Sequence, residues 1–423
     1  MNISIVGAGI IGVTTAYELA ADGHEVTVFE RRGAAAEETS FANAGVVAPG
    51  AVTPWAAPGM PAKVARYLFS AHAPVRLALP LTLHELRWMW QWWRACRLEL
   101  YLANRARLQR LAFYSRERLH RLTEDLQLEY DRSPGYMVLL RSEKDGRMVQ
   151  PGLQVLRDAG VPFSEIGAAQ ARTIEPALNP DTELLGAIHL PEDEVGNCRQ
   201  FALLLKNVAQ GMGVRFEFNT TVVPLDAAAP TSLQVIAARG DVQRRDFNAV
   251  VVCGGVDSAA LVRPLGIRVP LAAVHGYSIS APIRETLNAP RSALMDKRYK
   301  VAISRLGNRV RVAGSAEIGG VPGARRPAAI QTLYKVLHDW FPGAAQLSNT
   351  GAGVQEWKGA RPMLPDGPPL LGATGIPGVW INLGHGSSGW ALSCGSARAV
   401  ADLMGGRAPE VDIEGLGVER LFG

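Results

Sequence analysis

Cysteine is scarce in this 423-residue chain: Cys96, Cys198, Cys253 and Cys394 are the four, and they stand far apart. No C-x-x-C pair occurs, so the spacing of a structural zinc site is absent and disulfides do not organise the fold. Unpaired thiols fit a reducing compartment. No stretch approaches the roughly 18 uninterrupted apolar residues of a membrane-spanning helix. The apolar N-terminus lacks a positive segment before Ile3, so it does not read as a signal peptide. There is no low-complexity tract, no charged tail and no repeat at a solenoid period. The net charge of +5 is spread thinly, which argues against a nucleic-acid partner; a surface with a slight basic bias is the simpler reading. No Ser/His/Asp set, paired-carboxylate pattern or metal-ligand cluster stands out, so neither nucleophilic hydrolysis nor metal chemistry is indicated.

What is present is an ordinary globular composition, 48% hydrophobic and 20% charged, long enough for two domains. Ile3–Val6 reads as a buried strand, and Gly7-Ala8-Gly9-Ile10-Ile11-Gly12 opens a helix that runs through Ala20. Gly23 ends the helix and Glu25–Glu30 is a second strand, which completes a βαβ opening. A long helix over Leu83–Leu126 carries Trp88, Trp90, Trp92 and Trp93 among arginines. Such a stripe fills a packing core or rests on a membrane or partner. Ala249–Cys253 reads as a strand ending in Gly254-Gly255. Strands at Val274–Ala281 and Lys300–Ala313 follow, then a helix at Pro327–Trp340. Val379–Leu383, the loop Gly384–Gly389 and a helix to Met404 close the chain.

Dinucleotide-type segments thus occur at the start, middle and end. The expected fold is α/β: a discontinuous Rossmann-like domain over 1–75, 191–262 and 355–423. Inserted into it is a mainly antiparallel-sheet α+β substrate domain over 76–190 and 263–354.

The first chemical motif is Gly7-x-Gly9-x-x-Gly12 followed by Glu30. Gly7 permits the tight turn, Gly9 lets a pyrophosphate approach the backbone at Ile10 and Ile11, and Gly12 lets helix pack on strand. Glu30 is placed to accept from ribose hydroxyls. Arg31 and Arg32 follow at the cofactor edge and hint at a 2′-phosphate, which Glu30 would repel at close range. The second motif is Trp357-Lys358-Gly359-Ala360-Arg361-Pro362-Met363-Leu364-Pro365-Asp366-Gly367, and the third is Gly384-His385-Gly386-Ser387-Ser388-Gly389-Trp390.

With these motifs the chain resembles the D-amino acid oxidase superfamily of flavoenzymes, and more narrowly the small, FAD-carrying subunits of bacterial D-amino acid dehydrogenases. Glu38-Thr39-Ser40-x-x-Asn43-Ala44-Gly45, Pro54–Gly59, Leu190–Gly196, Phe218-Asn219-Thr220, Gly276-Tyr277-Ser278 and Tyr299–Ile303 carry the resemblance along nearly the whole chain. The resemblance implies FAD. Gly7, Gly9, Gly12 and Glu30 would hold its ADP half, and Val222 would touch the adenine by backbone. Cys253, Gly254 and Gly255 would pass beneath the pyrophosphate. Ser40, Asn43, Ala44 and Gly45 would approach the flavin, with Gly384, His385, Gly386, Ser387, Ser388 and Gly389 near the isoalloxazine.

Arg361 falls on the superfamily's substrate-carboxylate arginine, and a guanidinium suits two-point carboxylate recognition. Tyr277 and Tyr299 are candidates to meet the substrate amine or carboxylate. His385 is a candidate base or, as a histidine amid glycines, a loop-fixing group.

The implied activity is oxidation of a D-amino acid to the 2-oxo acid and ammonia, with electrons passed to a quinone or membrane electron-transfer chain. The implied location is cytoplasmic, with peripheral contact at the inner face of the cytoplasmic membrane left open. Val46 replaces the family's usual glutamine, Ala51 a tyrosine, and Ser387-Ser388 a Thr-Leu. These changes keep open a secondary amine or imino acid as substrate, such as D-proline, a hydroxyproline or an N-substituted glycine, and oxygen as acceptor.

Overall fold

The computed structural model describes residues 1–67, 72–321, 323–347 and 353–421. Two large sheets organise it. The first has six strands in the order Leu370–Ala373, Val379–Leu383, Ala249–Val252, Asn2–Val6, Glu25–Phe29 and Arg215–Glu217. All neighbours are parallel except the antiparallel edge strand Leu370–Ala373. Its central strands are near-continuous apolar runs because a parallel sheet is covered on both faces. Ile3, Ile5, Val28, Val250 and Val251 are fully buried.

Helices Ile10–Ala21, Cys198–Gly211 and Gly389–Met404 share one core with the long helix Leu98–Asp125. Glu18, wholly buried, locks three of these helices together. Its carboxylate accepts from Arg118 at 2.8 Å and from Arg398 at 2.8 Å. Such a pair is costly to break from one side, since the remaining charge stays buried alone.

The second sheet has ten strands, mostly antiparallel. Its path runs from the edge strand Gln355–Met363 through Ala272–Pro282, Arg309–Gly319, Val301–Leu306, Ala293–Asp296, Ser133–Leu140 and Gly186–Val195 to Val46–Val47. Helix Pro327–Trp340 covers one face, burying Tyr277, Ile279, Ile303, Val312, Leu333 and Trp340. On the opposite face Trp88 packs against Val274, Ile318 and Met363.

Three expectations change here. The segment 355–363 pairs with Ala272–Pro282 along nine residues, so it belongs to the second sheet, not to the cofactor domain. Residues 46–47 and 191–195 join that sheet as well. Conversely, helix Leu98–Asp125 packs into the cofactor core although the chain around it builds the substrate sheet. Strand pairing and apolar burial, not chain order, decide membership.

The single helix expected over 83–126 is two, Leu83–Ala95 and Leu98–Asp125, because Arg97 takes an extended conformation (φ −92°, ψ 145°). Thr82 starts the first with a capping box to Glu85. The tryptophans divide between core and surface. Trp88 is buried and donates Nε1 to Met363 O at 2.9 Å, whereas Trp90 and Trp93 are 52% and 59% exposed.

Candidate active site

At the C-terminal ends of the first sheet's parallel strands the chain opens into a cleft. This is where α/β sheets bind ligands, because the strand ends diverge and helix N-termini point inward. The turn after Asn2–Val6 fits its glycines tightly. Gly7 takes φ +103°, and a Cβ there would lie 2.7 Å from Cys253 O. A Cβ on Gly12 would come within 1.9 Å of Gly7 O, so the helix can sit this close to the turn only without one. Glu30 reaches back from the second strand; its carboxylate accepts from Ala8 N at 2.7 Å and from Arg32 N at 2.9 Å. Ser40 Oγ accepts from Ile10 N at the helix start.

The cleft wall comprises Gly7, Gly9, Ile10, Ile11, Glu30 and Arg31 from the opening βαβ unit, with Ser40 from the following loop. Val222, Cys253, Gly254 and Gly255 form a second side, and Gly384, His385, Gly386 and Gly389 a third. These are the three glycine-laced segments expected to converge. Gly12, Arg32, Asn43, Ala44, Gly45, Ser387 and Ser388 are not in the wall: Gly12 acts through helix packing, Arg32 pairs with Glu38, and Ser387 is exposed.

The wall also holds groups that the motifs did not point to. Asn382, fully buried, has Oδ1 without a partner. Arg31 bridges Glu38 at 3.2 Å and Asp257 at 2.9 Å, a strap joining two sides of the cleft. The sequence marked Arg31 at the cofactor edge but not its partner Asp257. The fit to a dinucleotide rests on this cradle of side-chain-free turns, the buried carboxylate of Glu30 and the open acceptor of Asn382.

The substrate-side residues divide. Ala360 and Pro362 line the cleft, while Arg361 between them projects to the other face of their strand. Its guanidinium lies against Gly276, where a Cβ would meet Nη2 at 2.3 Å, and Nη1 donates to Ser315 O at 3.0 Å. Among the described residues it has no carboxylate partner, and burial pulls its pKa down to about 10. Tyr277 and Tyr299 do not join it. The Tyr277 hydroxyl donates to Glu317 at 3.2 Å within the core under helix Pro327–Trp340. Tyr299 lies edge-on to His72, with Arg141 and Lys335 over its ring. Strand parity carries Tyr277 to the helix-covered side, and Tyr299, in the turn between Ala293–Asp296 and Val301–Leu306, packs against the same core.

His385 does line the cleft. Its Nε2 lies 3.1 Å from Ser396 Oγ, and burial lowers its pKa to about 3. Burial keeps the ring neutral near neutral pH, and its Nε2 contact runs to the helix that follows the loop.

A model of the DAO family, described as FAD dependent oxidoreductase, matches residues 2–403. A D-amino acid dehydrogenase of Cereibacter sphaeroides is 43% identical over 99% of this chain and 95% of its own length. One from Rhizorhabdus wittichii is 42% identical, covering 99% and 100%. In three dimensions the chain is similar to glycine oxidase from Geobacillus kaustophilus, with a TM-score of 0.73 at 21% identity over 98% of this chain and 97% of that one. It is also similar to an FAD-bound L-alpha-glycerophosphate oxidase from Mycoplasma pneumoniae, with a TM-score of 0.70 at 18% identity over 96% and 94%. A match across almost the whole chain, laid over a cleft shaped for a dinucleotide, means that this chain belongs to the DAO family of FAD-dependent oxidoreductases.

Proposed function

We propose that this chain is a D-amino acid dehydrogenase: it oxidises a D-amino acid at Cα, the imino acid hydrolyses to the 2-oxo acid and ammonia, and the electrons leave for a quinone-type acceptor. The observation that carries this reading is Arg361. A half-buried guanidinium without an acid partner among the described residues is set to take an anion, and a substrate carboxylate supplies two acceptors in the plane of its donors. The relatives named D-amino acid dehydrogenase support the substrate class. FAD supplies the electron-accepting chemistry. The protein's part is to hold the adenosine end at Glu30, the pyrophosphate at the Gly7–Gly12 turn and Gly254, and the substrate carboxylate at Arg361. His385, neutral and bonded to Ser396, keeps the Gly384–Gly389 loop in place and moves no proton.

The decisive experiment is anaerobic mixing of the holoenzyme with D- and L-amino acids while flavin absorbance is followed. Bleaching by D-alanine and not by L-alanine is the expected result. Bleaching by proline or N-methylglycine alone would replace the reading with oxidation of a secondary amine. Peroxide formation in air at the full turnover rate would replace the acceptor with oxygen.

A surface patch supports electron delivery at a membrane. Leu79, Leu83, Leu86, Trp90, Trp93 and Leu98 are all exposed large apolar side chains, and Arg87, Arg94 and Arg97 stand exposed among them. Arg94 lies 4.8 Å over the Trp90 ring. Apolar and aromatic residues with arginines on one face suit the boundary between lipid headgroups and acyl chains. Among the described residues no helix is long and apolar enough to cross a membrane, so contact would be at the surface. Co-sedimentation with anionic lipid vesicles, lost in a Trp90→Glu/Trp93→Glu variant, is the expected outcome; equal sedimentation of both proteins removes this patch from the account.

A further inference from the structure

The face of the ten-stranded sheet that carries Arg361 holds a second unneutralised guanidinium. Pairing between Gln355–Met363 and Ala272–Pro282 is continuous, so Arg361, Gly359, Trp357 and Gln355 share one face with Val274, Gly276, Ser278 and Ser280. Ser280 pairs in turn with Arg311 on the next strand, which puts Arg311 on that face. Gly276 lies under the Arg361 guanidinium. Ser278, 1% exposed, has a hydroxyl without a partner. Arg311, 8% exposed, donates Nη1 to Asn43 O at 3.2 Å, while its buried Nε has no partner.

The charges around Arg311 deepen the imbalance. Arg309 and Arg199 face it, and Cys198 stays a neutral thiol because burial raises it to about 12. Arg309 is satisfied by carbonyls of Ser280 and Gly353. Arg199 lies 4.5 Å over the Phe41 ring with its Nε unpartnered, and Phe41 stacks on Trp357. Among the described residues, no carboxylate makes a salt bridge to Arg199, Arg309 or Arg311. Elsewhere buried arginines do meet acids: Arg141 pairs with Asp296 and Asp339, and Arg398 with Glu18 and Asp22. An interior guanidinium left without an anion is expensive unless a ligand brings one.

We propose that Arg311, with Arg199 at its rim, is a second carboxylate subsite, and that the substrate class is a dicarboxylic amino acid. The proposal deepens the D-amino acid dehydrogenase reading and rests on it for the α-carboxylate at Arg361. The two positions lie along one strand: Gly276, beside the Arg361 guanidinium, and Ser280, opposite Arg311, are four residues of extended strand apart, about 13 Å along the backbone. The unpartnered Ser278 hydroxyl stands between the two ends, where it meets the middle of such a molecule.

The test uses two unreactive acids on the holoenzyme, glutarate and valerate, each titrated against the flavin difference spectrum. Glutarate is expected to bind at least about tenfold more tightly than valerate, the worth of one added charge-assisted contact. In Arg311→Gln that ratio is expected to fall to about two or below, and in Arg199→Gln to fall by about threefold. Equal binding of the two acids to the wild type overturns the proposal, as does an unchanged ratio in Arg199→Gln, the half-buried variant that leaves the Asn43 contact intact should Arg311→Gln lose its flavin. Flavin reduction by D-alanine with no glutarate preference keeps the dehydrogenase reading and ends this one. A glutarate preference that collapses in the variants, with no D-amino acid reducing the flavin, does the reverse.

Discussion

Gly276→Ala separates the proposed clamp from the scaffold. In the native chain the position of a Cβ at residue 276 lies 2.3 Å from Arg361 Nη2, 2.6 Å from Cζ and 3.0 Å from Nη1. Ordinary contacts begin near 3.5 Å, so an alanine methyl must push the guanidinium aside by about 1 Å. The clashing atoms are the free end of a flexible side chain, so the backbone has no need to move and the stability cost stays below about 1 kcal/mol. A shift of about 1 Å in a substrate-positioning group, however, costs about 100-fold in rate.

The expected signature is therefore a Tm within a few degrees of wild type, an unchanged flavin spectrum, and kcat/KM for a D-amino acid lowered by about 10- to 100-fold. The assays are thermal unfolding followed by flavin fluorescence and anaerobic reduction kinetics. A variant with full flavin and kcat/KM within about twofold of wild type would refute the assignment of Arg361 as the carboxylate clamp. A large drop in Tm would refute the claim that only the side chain occupies that space.

Three further outcomes follow from the same geometry. Gly12→Ala places a methyl 1.9 Å from Gly7 O, so the turn must open; the purified variant is expected to lack the flavin absorbance band and to unfold at lower temperature. Arg31→Ala removes the strap to Glu38 and Asp257, and FAD release, read as recovery of free flavin fluorescence, should quicken severalfold. These pairs are exposed, so the difference from wild type should shrink in about 0.5 M salt.

His385 gives a pH signature. Its folded pKa of about 3 lies below the ordinary 6.5, so the unfolded chain binds a proton that the native ring refuses between those values. Its contribution is complete above pH 6.5 and is lost as pH falls toward 3, by at most about 1.4 kcal/mol per unit. Glu175 and Asp193, both raised by burial to about 7, act in the opposite direction, so the informative quantity is His385→Gln against wild type. The variant's urea midpoint should fall less steeply with acid, and an identical slope would show that the ring is not buried neutral.

The cofactor cleft was legible in the sequence because its parts are local. Each glycine turn is built within a few residues by the strand before it and the helix after it, so spacing alone carries Gly7, Gly9, Gly12, Glu30 and the Gly384–Gly389 loop. Arg361 was legible through its neighbours Gly359 and Pro362 and the family motif around them. Tertiary structure decided what depends on which face of a strand is covered. Tyr277 and Tyr299 read as substrate groups until helix Pro327–Trp340 claimed their side of the sheet. Four tryptophans in six residues looked alike, yet Trp88 turned inward to Met363 while Trp90 and Trp93 stayed in solvent. Arg311 had no motif to mark it. Its surroundings come from Asn43, 268 residues away in the chain, and from strand register across the sheet, and no periodicity encodes such a meeting.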